Sequence, residues 1–404
     1  MSNNTGPQSC DPLNRDGWRP RHDRCIHRAR WIALSVVLAA LPIGCQRNAA
    51  PPAPAAASNA ALAALEAKGV SVRRSDSAGS IGTLVGITLD ASATGFTPSD
   101  YVLLTDIQVD AVELTVDGFP ATNSVLPWVK GIRNLRTLTL VAYQNPAPDF
   151  SIMGTIPQLE NLWVVCDSIS AESLAALARQ PQLRHLDLVG AELGAEALQS
   201  INTIGTVENL GLWNCKISSE GLQDIRPFVG LKRLLIWTNE ISLELMNAVV
   251  RCEELEWLEL QGALPPGASA MLSNMTGLKS LSIAETPLAK EDVAEIVKLT
   301  NLERLWLTAA GLPDDTVGEI VTLPSLYELN LSDNPLTDAC VPALCTLKQL
   351  SDLWLFGTKI TQRGIDDIRQ AFPTADYDSD MIKFTRPVWF GYDENGEVVR
   401  RLVE

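Results

Sequence analysis

Few residues in this chain are placed to do covalent chemistry. Two of its three histidines precede residue 30, and the third, His185, has Asp187 two places on. In an extended segment both side chains would leave the same face, where a carboxylate can orient an imidazole as a general base. No serine or cysteine nucleophile joins them by motif, so they read as two solvated polar residues and the chain as non-enzymatic. The adjacent carboxylates Asp314-Asp315 and Asp366-Asp367 could in type hold calcium, but they read more simply as helix-start and surface charge. Past residue 45 the cysteines are Cys166, Cys215, Cys252, Cys340 and Cys345. An odd number without C-x-x-C spacing makes neither a zinc site nor an obvious disulfide framework, and buried free thiols are expected. No glycine-rich phosphate loop is present, and no cofactor is expected.

The chemistry that remains is recognition, and tryptophan carries it. Trp163, Trp213, Trp237, Trp257, Trp306 and Trp354 are six of the ten in the chain. They are positioned by a phrase written ten times, L-x-x-L-x-L. It opens at Leu135, Leu159, Leu183, Val207, Leu231, Leu255, Leu278, Leu302, Leu326 and Leu350, spaced by 24 residues with one step of 23 after Leu255. The fourth position is leucine every time, from Leu138 to Leu353. Such a unit buries its apolar edge only by stacking on its neighbours.

Positions 3 to 7 of each unit alternate and predict a short parallel strand, with 1, 4 and 6 in the core and 3, 5 and 7 on the opposite face. Trp163, Trp306 and Trp354 then fall at position 5, Trp213, Trp237 and Phe356 at 7, and Trp257 at 3. Composition alone would put polar residues there. Arg233, Arg304, Glu259, Glu328 and Asp352 are interspersed, and Asn330 stands between Trp306 and Trp354. Adjacent strands lie about 4.8 Å apart, so Trp213 and Trp237 should make one aromatic platform. Large aromatics grouped on a surface mark binding sites. The bland alternative is that the indoles pack on one another and cover the sheet.

The phrase resembles the leucine-rich repeat, L-x-x-L-x-L-x-x-N/C/T-x-L/I. Its ninth position is Cys215, Asn239, Thr286, Asn334 or Thr358 in five repeats and Asp167, Ala191, Ala263 or Ala310 in four others; its eleventh is isoleucine or leucine in eight repeats, the first Ile169 and the last Ile360. The resemblance implies an α/β solenoid, a horseshoe with a parallel β-sheet on the concave face and short helices or loops on the convex face. It also implies protein recognition before other ligands. The period is similar to that of F-box ubiquitin-ligase adaptors too, but no F-box pattern is read ahead of the repeats and an export signal argues against that role.

The later half of the repeat often reads as helical, as in residues 218–225. Ser170, Ser218, Ser242, Thr337 and Thr361 stand as N-caps, with Glu172, Glu196, Glu220, Glu244, Glu291 and Asp315 offsetting positive helix ends. Asn145-Pro146-Ala147-Pro148 and Pro265-Pro266-Gly267 predict irregular convex loops, with the strand ladder continuing past both.

Residues 1–44 read as an export signal, six arginines leading into the apolar run 31–43. Leu41-Pro42-Ile43-Gly44-Cys45 resembles a bacterial lipobox, which implies lipid attachment at Cys45. An Ala/Pro-rich tether follows at 45–60, then an N-terminal cap with degenerate repeats at 61–134, beginning with a helix over 60–68. The repeats fill 135–373, and a closing hairpin is expected in 374–404 from the strands 388–392 and 397–402. After residue 44 the chain carries 26 basic against 45 acidic groups, which excludes nucleic acid as a partner and leaves the anchor as the membrane contact. The expectation is an exported, lipid-anchored binding protein of the cell envelope that takes a protein partner. A glycan ligand, or a structural role without a ligand, are the alternatives.

Overall fold

The computed structural model describes residues 55–76, 83–90, 95–117, 122–142, 147–218, 220, 228–372, 375–378, 381–384, 388–392 and 398–402. The export signal, Cys45, most of the tether and most of the helix expected over 218–225 lie outside them. Among the described residues no helix is long and apolar enough to cross a membrane.

The strands are β1 (Ser71–Asp76), β2 (Thr83–Leu89), β3 (Ala111–Asp117), β4 (Leu135–Ala142), β5 (Asn161–Cys166), β6 (His185–Val189) and the two-residue β7 (Glu192–Leu193). There follow β8 (Asn209–Trp213), the two-residue β9 (Lys216–Ile217), β10 (Arg233–Glu240), β11 (Trp257–Ala263), β12 (Ser280–Ala284) and β13 (Arg304–Thr308). The last are β14 (Glu328–Asn330), β15 (Asp352–Trp354), β16 (Ala375–Asp378), β17 (Met381–Phe384), β18 (Val388–Tyr392) and β19 (Val398–Leu402). Fifteen of them form one sheet in the order β1-β2-β3-β4-β5-β6-β8-β10-β11-β12-β13-β14-β15-β17-β16. Neighbours from β2 to β15 are parallel, while β1 on one side and β17 and β16 on the other run antiparallel.

Register follows the leucines. Leu186, Leu210, Leu234, Leu258, Leu281, Leu305, Leu329 and Leu353 pair in one row across the sheet, each exposed by 2% or less. The 23-residue step leaves this row intact, Leu258 pairing with Leu281, so the missing residue is taken from the helical side. There Pro265, Pro266 and Gly267 make the irregular turn that was expected, with Gly267 at φ 80°, and a short helix, Ala268–Leu272, follows it.

Six of the repeat strands leave the sheet through a tight turn at position 8, while β4, β5, β10 and β11 run through that position. The backbone is left-handed at Gly190 (φ 78°), Asn214 (50°), Glu285 (53°), Ala309 (52°), Asp333 (60°) and Gly357 (68°). Position 9 then satisfies the turn from within. Buried Asn334 accepts from the amides of Ala310 and Leu312 and donates to the Leu307 carbonyl at 2.6 Å; Thr286 donates to Gly262, and the Cys215 thiol to Leu188. Asn239 does not join this ladder, because β10 runs on to Glu240 with an irregular register and leaves it exposed.

The helices follow ordinary end chemistry. Ser170 and Ser242 accept from the amides of Ser173 and Leu245, and Glu172, Glu196, Glu244, Glu291 and Asp315 fall in first turns. Thr361 differs from its expected role: its hydroxyl and amide donate to Asp338, one repeat back, as those of Thr337 do to Asp314. Position 2 adds a charge ladder along one margin of the sheet. Arg136 pairs with Glu160, Glu208 with both Arg184 and Lys232, and Glu256 with Lys279.

The ends of the body depart from expectation in two places. The first helix spans Ala55–Ala67, so it begins inside the stretch read as a tether, where alanines favour it. At the other end β18 and β19 pair antiparallel as expected, but as a separate sheet; the repeat sheet is closed by β16 and β17.

Candidate functional site

On the sheet face turned away from the helices, three rows run across the strands. Position 3 gives Asn161, His185, Asn209, Arg233, Trp257, Ser280, Arg304, Glu328 and Asp352 in direct register from β5 to β15. Position 5 carries Trp163, Asp187, Gly211, Leu235, Glu259, Ser282, Trp306, Asn330 and Trp354 in the same way. Trp213 and Trp237 pair in the position 7 row.

The indoles meet across these rows in two groups. Trp163 stacks on Trp213 with ring centres 5.8 Å apart, and Trp213 meets Trp237 edge to face at 4.6 Å. Trp257 meets Trp306 at 6.4 Å and Trp306 meets Trp354 at 6.0 Å, both edge to face. Residues without bulk lie between the rings: Gly211 in the first group, buried Ser280 and Ser282 in the second. A Cβ at Gly211 would collide with Asp187 Oδ1 and Trp213 Nε1. The chain therefore needs glycine here for contact reasons alone.

Placement corrects one expectation. Trp163 lies on this face yet is only 8% exposed, because Trp213 reaches across from two strands away to cover it. Trp213, Trp237, Trp257, Trp306 and Trp354 are half-buried, while Phe356 is 57% exposed and Arg233 is also exposed.

Carboxylates hold the indole edges. Trp213 Nε1 donates to Asp187 at 2.7 Å, Trp237 Nε1 to Glu259 at 3.0 Å, and Trp306 Nε1 to Glu328 at 3.1 Å. Glu328 also accepts from Arg304 Nε at 2.9 Å. Trp257 is instead covered by cations, with the Arg233 guanidinium 3.7 Å from its ring centre and that of Arg304 at 5.4 Å. Its own Nε1, and that of Trp163, are buried with no acceptor among the described residues.

Burial sets the electrostatics of these groups. It pushes the Asp187 carboxyl up to about 6, with the Trp213 hydrogen bond and the Arg233 charge opposing it. It likewise raises Glu259 against the Trp237 bond and Arg233, and Glu328 against Arg304. His185 is pushed down by burial, then by Arg233. Asp187 thus serves an indole rather than completing a general base, and the sequence reading that paired it with His185 missed this because the partner stands on β8. Gly211, Tyr327 beside Arg304, and the small residues of β12 were also missed. A signal existed for the small residues of β12, since Ser280 and Ser282 each stand one repeat from a tryptophan in the same row.

The other candidates fall outside this face. Asp315 pairs with Lys290, and Asp366 with Arg369. Cys166, Cys215, Cys252 and Cys340 are buried thiols, and Cys345 is half-buried. Burial pushes Cys166, Cys215 and Cys340 up to about 12, so they are poor nucleophiles. Among the described residues no group of three His, Cys, Asp or Glu side chains could hold a metal.

Repeat phrase, parallel ladder and helical outer side together define a leucine-rich-repeat solenoid. No protein-family model matches the chain, and no curated protein matches it. Among solved structures it is similar to an internalin from Listeria monocytogenes, at 15% identity over 70% of this chain and 84% of that one, with a TM-score of 0.45. It is also similar to a leucine-rich-repeat protein of Leptospira interrogans, at 17% identity over 70% and 87%, with a TM-score of 0.38.

Proposed function

We propose that this chain is an exported, non-enzymatic binding protein of the cell envelope, and that the aromatic belt on its concave face recognises a protein. The observation that carries this reading is that two indole groups, Trp163, Trp213 and Trp237 and then Trp257, Trp306 and Trp354, share one sheet face from β5 to β15, with three of the six indoles tied by carboxylates and exposed Phe356 just past β15. Aromatic and arginine side chains held in fixed positions favour interface hot spots. The edge-to-face packing favours a protein over a glycan, because pyranose rings stack on open, flat indole faces, and here neighbouring rings and Arg233 take much of that area. Export and anchoring through Cys45 rest on the amino-terminal sequence alone.

The test uses the exposed end of the belt. Trp354→Ala with Phe356→Ala should reduce capture of a partner from envelope extract at least tenfold while moving Tm by only a few degrees. Undiminished capture by this variant would defeat the reading. Labelling the cells with radioactive palmitate tests the anchor, and a Cys45→Ala chain that still takes up label removes it.

A further inference from the structure

Each half of the belt holds two carboxylates and one arginine. Asp187 and Glu259 both act on Arg233 in the first half. In the second, Glu328 binds Arg304 while Asp352 stands beside it in the same row. Arg233 and Arg304 are the only Lys or Arg at positions 3, 5 and 7 from β5 to β15, and beyond them Lys383 on β17 is the strand partner of Asp352, so the first half is short of one positive charge on its own rows.

The chain also displays how this face holds a cation. Arg304 donates to Glu328 at 2.9 Å while its guanidinium lies 5.4 Å from the Trp257 ring centre and 5.2 Å from that of Tyr327. An aromatic face beside a carboxylate binds a guanidinium or ammonium well, because ring quadrupole and carboxylate both attract it. The same groups recur on either side. Trp213 and Trp237 stand with Asp187 and Glu259, and Trp306 and Trp354 with Glu328 and Asp352.

We propose, resting on the recognition reading above, that the partner presents an extended cationic segment whose two Lys or Arg side chains fill these two half-sites. Their centres are five strand steps apart, roughly 24 Å at about 4.8 Å per step, which an extended chain covers in about seven residues. The raised carboxylates agree with this, since burial opposes their charge and an arriving cation would offset it. The net charge of -16 would steer such a segment inward.

A displayed library of random dodecapeptides, selected on the immobilised full chain, tests this. Sequences with two basic residues six to eight apart should be enriched, and replacing both by glutamine in an enriched peptide should weaken binding at least tenfold. Glu259→Gln with Asp352→Asn keeps hydrogen-bond acceptors and removes two charges; it should weaken the same peptide at least tenfold, with folding checked by circular dichroism. Enrichment of neutral or acidic peptides, no enrichment, or equal binding by the neutralised protein overturns the proposal. If that protein still captures the envelope partner that the Trp354/Phe356 variant loses, recognition stands and the cationic segment falls. If both variants keep capture, the recognition reading fails as well.

Discussion

A carboxylate that holds an indole N–H is itself held away from water, and the result is a pH dependence belonging to one side chain. Asp187 titrates at about 6 in the fold against 3.8 ordinarily. Between those values the folded chain keeps a proton that the unfolded chain has released, so this group's contribution to stability falls as pH rises from about 4 to about 6 and stays low above. Asp187→Asn keeps an acceptor for Trp213 without the buried charge. It should stabilise the protein at pH 7 by about 1–2 kcal/mol in denaturant unfolding, little at pH 4, and remove a step near pH 6 from the tryptophan emission. A wild-type emission profile flat from pH 5 to 7 would refute the assignment. Gly211→Ala tests the same pair sterically. Its Cβ must push Asp187 and Trp213 apart, so it should cost about 1–3 kcal/mol, whereas Gly194→Ala, with open space around the new Cβ, should cost far less in the same assay. Alternation told which face these side chains share. It could not tell that Trp213 would lean over Gly211 to reach Asp187 and bury Trp163, because that depends on what is missing from the strands between.

At the scale of the repeat, register was legible and the exit from the strand was not. The fourth-position leucine never changes, and a slip by one residue would turn it to the other face, so the pairing of all ten repeats could be read directly. Position 8, by contrast, is Gly, Asn, Asp, Glu or Ala in the six repeats that turn there, and nothing in Glu285 or Ala309 announces a left-handed residue. The stacked coil imposes that conformation, at a cost of about 1–2 kcal/mol for a residue with a Cβ. Ala309→Gly should therefore raise stability by about 0.5–1 kcal/mol, the relieved strain being partly offset by a more flexible unfolded chain. A loss of stability in chemical denaturation would show that the turn is held without strain. The position 2 charge ladder could have been read from the sequence, since basic and acidic residues alternate from Arg136 to Lys279. Its pairs are exposed, so Glu208, which serves two cations, is the one node where a substitution should register. Glu208→Gln should cost no more than about 1 kcal/mol, less in high salt.

A parallel sheet of this length cannot close on itself, and each end exposes a row of backbone donors and acceptors that another chain could pair with. The molecule answers at both ends by reversing strand direction. β1 runs antiparallel to β2 and carries exposed Arg73 and Arg74, and β17 runs antiparallel to β15 with β16 outside it. Terminal units of a solenoid must cover its last apolar layer as well, which repeats alone cannot do. The leucine phrase ends with the repeats, so sequence offered only alternation to choose between 375–384 and 388–402. The later pair alternates as plainly, but only the earlier one joins the sheet. Two truncations separate these roles. A chain ending at Phe372 leaves β15 as a bare edge and should associate with rising concentration, read by light scattering after size exclusion, while its far-ultraviolet circular dichroism stays that of the repeats. A chain ending at Pro387 keeps β16 and β17 and should behave as the full-length protein does. If the two associate alike, the edge of the solenoid is guarded by something other than this antiparallel pair.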